Sequence, residues 1–287
     1  MLTPGDRIIN LFYTMKRIAF LFLIYDTIHN EDVWHAFFEN ADPNKYTIFV
    51  HYKTQIPLKW FEKYKLTHCI PTNYVIDTSI AKAHNLLIEE AMKDPTVYKT
   101  VNLSQSCIPF KSFNHVYEFL TKDNSSHFNL MPMSDWSMSV TEPALQFLKR
   151  EEIFKAANWF ILNRQHATCC LEHPEYFTYF HGVHSPEEFL FVSLLKKYSP
   201  EDIVYTNYSA ERATTFTNWD SAWGMVYKYP TYSSIKHYSE ISEEELTYLI
   251  GSPCLFGRKF NHSCTVNNAP LILYEPYIQL FSTIQNI

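Results

Sequence analysis

Ile18-Ala19-Phe20-Leu21-Phe22-Leu23-Ile24 is an unbroken apolar run, and the segments on its C-terminal side decide how it is read. Glu31 to Asn40 sets Val33, Trp34, Phe37 and Phe38 at helical spacing, and Tyr46 to His51 returns to a strand-like pattern. Strand, helix, strand is the opening of an α/β sheet, so the first run is read as a buried strand. A second cycle follows: Leu66 to Ile70 as a short strand, Thr78 to Met92 as a helix and Val97 to Leu103 as a further strand. Repeated crossovers of this kind imply mostly parallel strands.

Further along, Asn114 to Leu120 reads as helix. Ser125 to Glu142 is a polar, Met-rich, Pro-containing excursion without a sustained period, a loop suited to covering an acceptor site. Ala157 to Leu162 then reads as strand, and Arg164 to Leu171 and Glu187 to Lys196 as helices. Ser185-Pro186-Glu187-Glu188 supplies the second of these helices with an N-cap, a first-turn proline and an acid three residues after the cap. Tyr205 to Trp223 resists assignment, Glu243 to Ile250 is helical, and Cys254 to Phe260 is extended. With no internal repeat and no low-complexity linker, the reading is an extension over residues 1–16 followed by a single domain over 17–287.

Composition narrows the class. With 46% hydrophobic residues, 22 Phe and 20 Tyr, the chain carries more apolar side chain than a disordered polymer leaves in water. A formal net charge of −6, with 24 scattered basic residues, argues against a nucleic-acid binder. Met15-Lys16-Arg17 before the first apolar run has the look of a signal peptide, but the run is short and leads into Tyr25-Asp26 without a small-residue cleavage site. No segment approaches the roughly 20 apolar residues of a membrane helix. Cys69, Cys107, Cys169, Cys170, Cys254 and Cys264 show no C-x-x-C spacing and are read as buried thiols. Asn102, Asn124, Asn207 and Asn261 each begin an N-x-S/T sequence, a pattern too short to establish secretion.

The chemistry is first bounded by what is missing. No G-x-G-x-x-G, G-x-x-x-x-G-K-S/T or G-x-S-x-G pattern occurs among only five glycines, which weakens dehydrogenase, P-loop and α/β-hydrolase readings. No D-x-D sequence occurs either, the arrangement that puts acidic oxygens on a cation bridging a nucleotide diphosphate. A metal-free donor site would need positive side chains, and Arg258-Lys259 offers a planar fork beside a mobile ammonium. Against this stands an ordinary solvated pair, and strand alternation would send the two side chains to opposite faces. Glu188 is a candidate base for an acceptor hydroxyl, competing with a capping role opposite Ser185. His166, His173, His181 and His184 match no compact zinc motif. Trp159, Trp219 and Trp223 are candidates for stacking on sugar or uracil, or for the core.

Several stretches in the same order carry a family likeness: Arg17 to Leu23, Tyr46 to His51, Asn102-Leu103-Ser104-Gln105-Ser106-Cys107-Ile108-Pro109-Phe110, Ala157 to Ala167, Ser185-Pro186-Glu187-Glu188-Phe189, Thr217-Asn218-Trp219 and Cys254-Leu255-Phe256-Gly257-Arg258-Lys259-Phe260. Together they resemble the plant-type branch of the core-2/I-branching β-1,6-N-acetylglucosaminyltransferases, over nearly the whole chain after residue 16. The resemblance implies a GT-A fold with a Rossmann-like, mostly parallel central sheet. Its first half would bind the donor and its second half would bind the acceptor and carry the catalytic groups. It also implies inversion at the anomeric carbon, no required metal and no cofactor beyond the UDP-sugar donor substrate.

In residue terms, Glu188 matches the family's general base at the end of the S-P-D-E motif, with Glu187 in place of the aspartate. Lys259 matches the lysine at the donor diphosphate and Arg258 a neighbouring basic residue. By likeness His51, Ser104, Gln105 and Ser106 form the donor wall. Gln105 departs from the family's S-E-S-C pattern by removing an acid. Asn73-Tyr74-Val75-Ile76-Asp77-Thr78 stands where the family has a tryptophan-glycine segment. The implied partners are a UDP-sugar, with N-acetylglucosamine ahead of xylose, glucose or glucuronic acid, and a glycan or glycoconjugate acceptor. Two rival readings remain: a catalytically weak carbohydrate-binding protein on the same scaffold, prompted by Gln105, and a divalent-metal nucleotide enzyme. Relatives of this type sit in the Golgi behind an anchor and stem. Neither is legible here, which leads to the expectation of a soluble chain, cytoplasmic, virally encoded or cut from a longer protein.

Overall fold

A computed structural model of the chain describes residues 16–73, 76–207, 213–218, 229–230 and 234–282. In chain order the strands and helices are β1 (Arg17–Ile24), α1 (Glu31–Glu39), β2 (Tyr46–Tyr52), α2 (Ser79–Met92), β3 (Val97–Ser104), β4 (Ile108–Pro109), α3 (Phe113–Thr121), β5 (Ser126–Met131) and α4 (Asp135–Val140). They continue with β6 (Lys155–Ala156), β7 (Ile161–Asn163), α5 (Arg164–Glu172), α6 (Glu175–Tyr179), α7 (Leu190–Tyr198), β8 (Ile203–Asn207), β9 (Thr215–Thr217), β10 (Tyr238–Glu240), α8 (Glu243–Gly251), β11 (Phe256–Arg258), β12 (Phe260–Val266), β13 (Ala269–Pro270) and α9 (Glu275–Ser282).

The central sheet runs β2-β1-β3-β7-β5-β6, with β8 joined to β5. Its long pairings, β1 with β2, β1 with β3 and β5 with β8, are parallel, while the short pairings through β6 and β7 are antiparallel. This mixed α/β architecture agrees with the GT-A, Rossmann-like fold implied by the resemblance. The unbroken apolar character of β1 follows from its position between two layers. Ala19 and Leu21 pack into one core cluster, Ile18, Phe20, Phe22 and Ile24 into another, so period-2 alternation delivers side chains to two buried faces. On the second face α1 buries Val33, Trp34, Phe37 and Phe38, and the Trp34 indole N–H donates to the Cys107 carbonyl at 2.8 Å.

A small sheet of β4, β11 and β9 ties the C-terminal region to the chain just after β3. Gly257 makes that approach possible: a Cβ there would lie 2.0 Å from the Phe110 ring. A third sheet joins β10, β12 and β13.

Several expected boundaries differ. The segment 66–70 forms no strand; only an isolated parallel bridge joins Val50 to Lys65, because Leu66 N–H reaches Val50 once and the chain then turns away. The excursion from Ser125 begins as β5, a strand of the central sheet that buries the polar Ser126 and His127 beside Phe128, so no apolar alternation marks it in the sequence. Of the expected strand over 157–162 only 161–162 is strand, as the start of β7, with β6 lying just before the segment, and 254–260 splits into β11 and β12. The extension over residues 1–16, apart from Lys16, lies outside the described residues, as do Tyr74 and Val75 and most of 205–223, including Trp219 and Trp223. All six cysteines are free thiols, five of them buried. No helix among the described residues is long and apolar enough to cross a membrane.

Candidate active site

Parallel pairing sets Leu23 beside both His51 and Ser104, so the C-terminal ends of β1, β2 and β3 lie in register. A cleft of about 440 Å³ opens above the ends of β1 and β3, the edge where open α/β sheets present ligand sites. Its lining takes Tyr25, Ser104, Gln105 and Ser106 from one side, and Asn158, Trp159, Ser185, Glu187, Glu188, Arg258 and Lys259 from the other.

The capping box expected at Ser185 does not form. A capping residue needs extended φ/ψ, whereas Ser185 sits in the left-handed region at φ 51, ψ 57, and its hydroxyl meets His184 Nδ1 at 3.1 Å. Pro186–Glu188 is a single 3₁₀ turn in which Glu188 N–H donates to the Ser185 carbonyl at 3.0 Å, and α7 starts only at Leu190. A left-handed serine costs of order 1–3 kcal/mol, so the surrounding packing holds this turn in place. Glu188 is thereby released from the backbone. Its carboxylate lies 3.4 Å from the ammonium of Lys155, a side chain only 5% exposed. Burial raises the Glu188 carboxyl above its ordinary range, opposed by Lys155, Arg258 and His184.

Glu187 joins Glu188 in the cleft. A regular helix would point it away from Glu188, but in the 3₁₀ turn both acids line the cleft. Burial, with a smaller contribution from Glu188, pushes Glu187 up to about 7. Burial raises both neighbouring carboxyls, and Glu188 is the one that faces the Lys155 ammonium.

Arg258 and Lys259 both face the cleft, against the expectation from alternation. The reason is the break between β11 and β12: Arg258 ends one strand, Phe260 begins the next, and Lys259 belongs to neither. The Arg258 guanidinium carbon lies 3.9 Å from the centre of the Trp159 ring, a cation–π contact at low exposure. Lys259 is pushed down to about 8 by burial and by Arg258.

The residues after β3 behave differently. Ser104 Oγ lies 3.1 Å from Ser106 Oγ and 3.3 Å from Cys107 Sγ, and both serines are buried. Gln105 Oε1 accepts from the Tyr25 N–H, and Gln105 Nε2 lies 3.3 Å from His29 Nε2. His29 Nδ1 faces the Phe260 carbonyl at 3.1 Å, which only accepts, so the proton sits on Nδ1 and Nε2 accepts from the glutamine amide. His51 is not in the cleft wall. It is fully buried behind it, its Nε2 accepting from Ile70 N–H at 3.1 Å, and burial lowers its pKa to about 4. The parallel register that brings His51 to the strand end also turns its side chain under the 66–70 segment.

Of the four histidines weighed as metal ligands, three have separate partners: His166 is buried against Ser126 Oγ at 2.6 Å, His173 pairs with Glu175 at 2.9 Å and His184 packs edge-on to Trp136. Among the described residues, His181 included, no group of three His, Cys, Asp or Glu side chains comes together to hold a metal ion. Sequence reasoning missed Lys155, His29 and Asn158, since a lone lysine in an apolar stretch or a lone histidine in a loop carries no spacing signal.

A family model described as Core-2/I-Branching enzyme matches residues 18–249. A rice protein (Oryza sativa subsp. japonica) named Glycosyltransferase BC10 is 26% identical over 167 residues, which cover 55% of this chain and 41% of the relative. The chain therefore spans less than half the length of that relative.

Proposed function

The chain belongs to the Core-2/I-branching enzyme family, and from that premise we propose that its cleft transfers a sugar from a UDP-sugar to a hydroxyl of a glycan or glycoconjugate, with inversion and without a required metal. N-acetylglucosamine is the first donor sugar to test, ahead of xylose, glucose and glucuronic acid. The acceptor oxygen attacks the anomeric carbon on the face opposite the diphosphate, its proton passes to the Glu188 carboxylate, and the bond to UDP breaks with the electron pair leaving on the phosphate oxygen. Arg258 and Lys259 meet the charge that develops there, in a partly desolvated site where such contacts are strongest. The observation that carries this reading is the shared cleft: Glu188 and the two cations line one cavity, and Arg258 contributes to holding down the Glu188 pKa.

The test is a matrix of UDP-sugars against glycan acceptors, read by UDP release and by product mass and linkage. Acceptor-dependent UDP release in chelator supports the reading. UDP-sugar or glycan binding without transfer in any combination would favour the carbohydrate-binding alternative, and activity restored only by manganese or magnesium would remove metal independence.

A further inference from the structure

Beside the cleft lies a second groove, about 610 Å³, whose lining includes Ile76, Ser139, Glu142, Gln146 and His184. It is open and mixed in character, with hydroxyl, carboxylate, amide and imidazole groups alongside the apolar Ile76, Val140 and Pro143 side chains. His184 connects the two cavities: it lines the groove, and its neighbour Ser185 lines the cleft. Trp136 of α4 stands at the same junction. It packs edge-on to His184 with ring centres 5.1 Å apart, yet 49% of its surface is exposed, a large aromatic surface left uncovered.

The distance from this indole to the chemistry is bounded by one intervening side chain. Lys155 Nζ lies 5.0 Å from the Trp136 ring centre and 3.4 Å from Glu188 Oε2. Those two legs place the ring within about 8.4 Å of the carboxylate, the scale of one bound monosaccharide. The part of the indole that Lys155 and His184 leave open is a flat apolar surface at that separation, and a pyranose presents C–H groups on one face and hydroxyls around its rim. The groove beyond supplies polar side chains for hydroxyls of a following unit.

We propose that Trp136 is the platform for the acceptor sugar whose hydroxyl reaches Glu188, and that the groove through Ser139, Glu142 and Gln146 takes the next sugar of an oligosaccharide acceptor. This inference rests on the transferase reading above and adds a location to its acceptor.

The experiment uses the full chain with the best donor from the matrix and a matched mono-, di- and trisaccharide acceptor series. Trp136→Ala should raise the acceptor KM by roughly 10-fold or more, with donor KM and kcat at saturation close to the parent, and Trp136→Phe should restore most of the loss. Ser139→Trp, at an exposed position in the groove, should erase the parent's preference for the disaccharide over the monosaccharide. Melting curves check that the three variants fold. If the parent transfers sugar, Glu188→Gln abolishes transfer, and Trp136→Ala leaves acceptor KM within two-fold, the platform is wrong and the transferase reading stands. If the parent transfers to no acceptor with any donor, the reading fails and the platform falls with it.

Discussion

The two walls of the cleft both present polar residues but direct them differently. On the wall after β3, Ser104, Ser106 and Gln105 are hydrogen-bonded within the protein, to one another, to Tyr25 and to His29. On the opposite wall, Glu187, Glu188, Arg258 and Lys259 crowd partly desolvated charges together, and every shift resolved among them moves away from the ordinary value. The first wall is a rigid floor whose side chains fix a turn. The second stores electrostatic potential against a ligand, and perturbed groups in a cleft mark the chemistry. Chemical substitutions should therefore act strongly on the second wall and weakly on the first.

The largest contrast should come from Glu188→Gln. Glutamine keeps the size of the side chain but does not accept the acceptor's proton, so acceptor-dependent turnover should fall by roughly 10²–10⁴-fold with UDP affinity largely intact. No capping bond is lost at Ser185, so a fall in melting temperature would report the loss of the buried Lys155 ion pair. Glu187→Gln gives a sharper version: with its carboxyl at about 7, part of the population is already protonated near neutral pH, and an amide should cost under about 10-fold at that pH. Equal losses for the two variants would merge them into one coupled dyad.

Next in size is Lys259→Ala, which should weaken donor use by roughly 1.5–3 kcal/mol, the range for a charge-assisted contact, measured as kcat/KM for the UDP-sugar. A loss confined to Arg258→Ala would move the diphosphate contact one residue upstream.

The pH profile tests the same wall without removing an atom. Lys259 is held near 8, so raising the pH through that value removes its charge and should lower donor kcat/KM on the alkaline side. The acid limb should lie above the ordinary carboxylate range, because Glu188 has to lose its proton and burial raises its pKa. Lys259→Arg should carry the alkaline limb out of the measurable window. An alkaline limb unmoved by arginine would assign it to another group.

The smallest effect is expected on the first wall. Gln105→Glu would set a carboxylate oxygen against His29 Nε2, where the native amide donates. Burial lowers the pKa of that imidazole now; a facing carboxylate favours the charged ring and should raise it. Imidazole proton shifts followed by NMR titration check the direction, and turnover should change by less than about three-fold. A large loss of activity would show that the first wall is chemical after all.

Much of the fold was legible because it rests on local periodicity. The run from Ile18 to Ile24 announced a buried strand, and α1 kept Val33, Trp34, Phe37 and Phe38 on its packed face. The legible elements were those long enough for a period to repeat. β6, β7 and β9 span two or three residues and exist only through their partners, so no pattern inside them marked their bounds. The site divides in the same way. Glu188, Arg258 and Lys259 were identified through motif likeness and common chemistry, and they do meet in one cleft. His51 matched its strand equally well and lies buried behind the wall.

By itself, the sequence determined the class: alternating strand and helix patterns, ample apolar side chain and a family order of motifs. Those properties belong to residue type and spacing and survive in an unfolded chain. What only the tertiary structure decided was which acids and bases face one another. The left-handed Ser185 replaced a capping box with a 3₁₀ turn and brought Glu187 into the cleft. The break between β11 and β12 put Arg258 and Lys259 on one side, and Lys155 reached Glu188 from 33 residues away along the chain. Side-chain direction depends on backbone conformation at each residue, and the strength of a charge depends on what excludes water around it. Both are set by distant segments packing together, which no local stretch encodes.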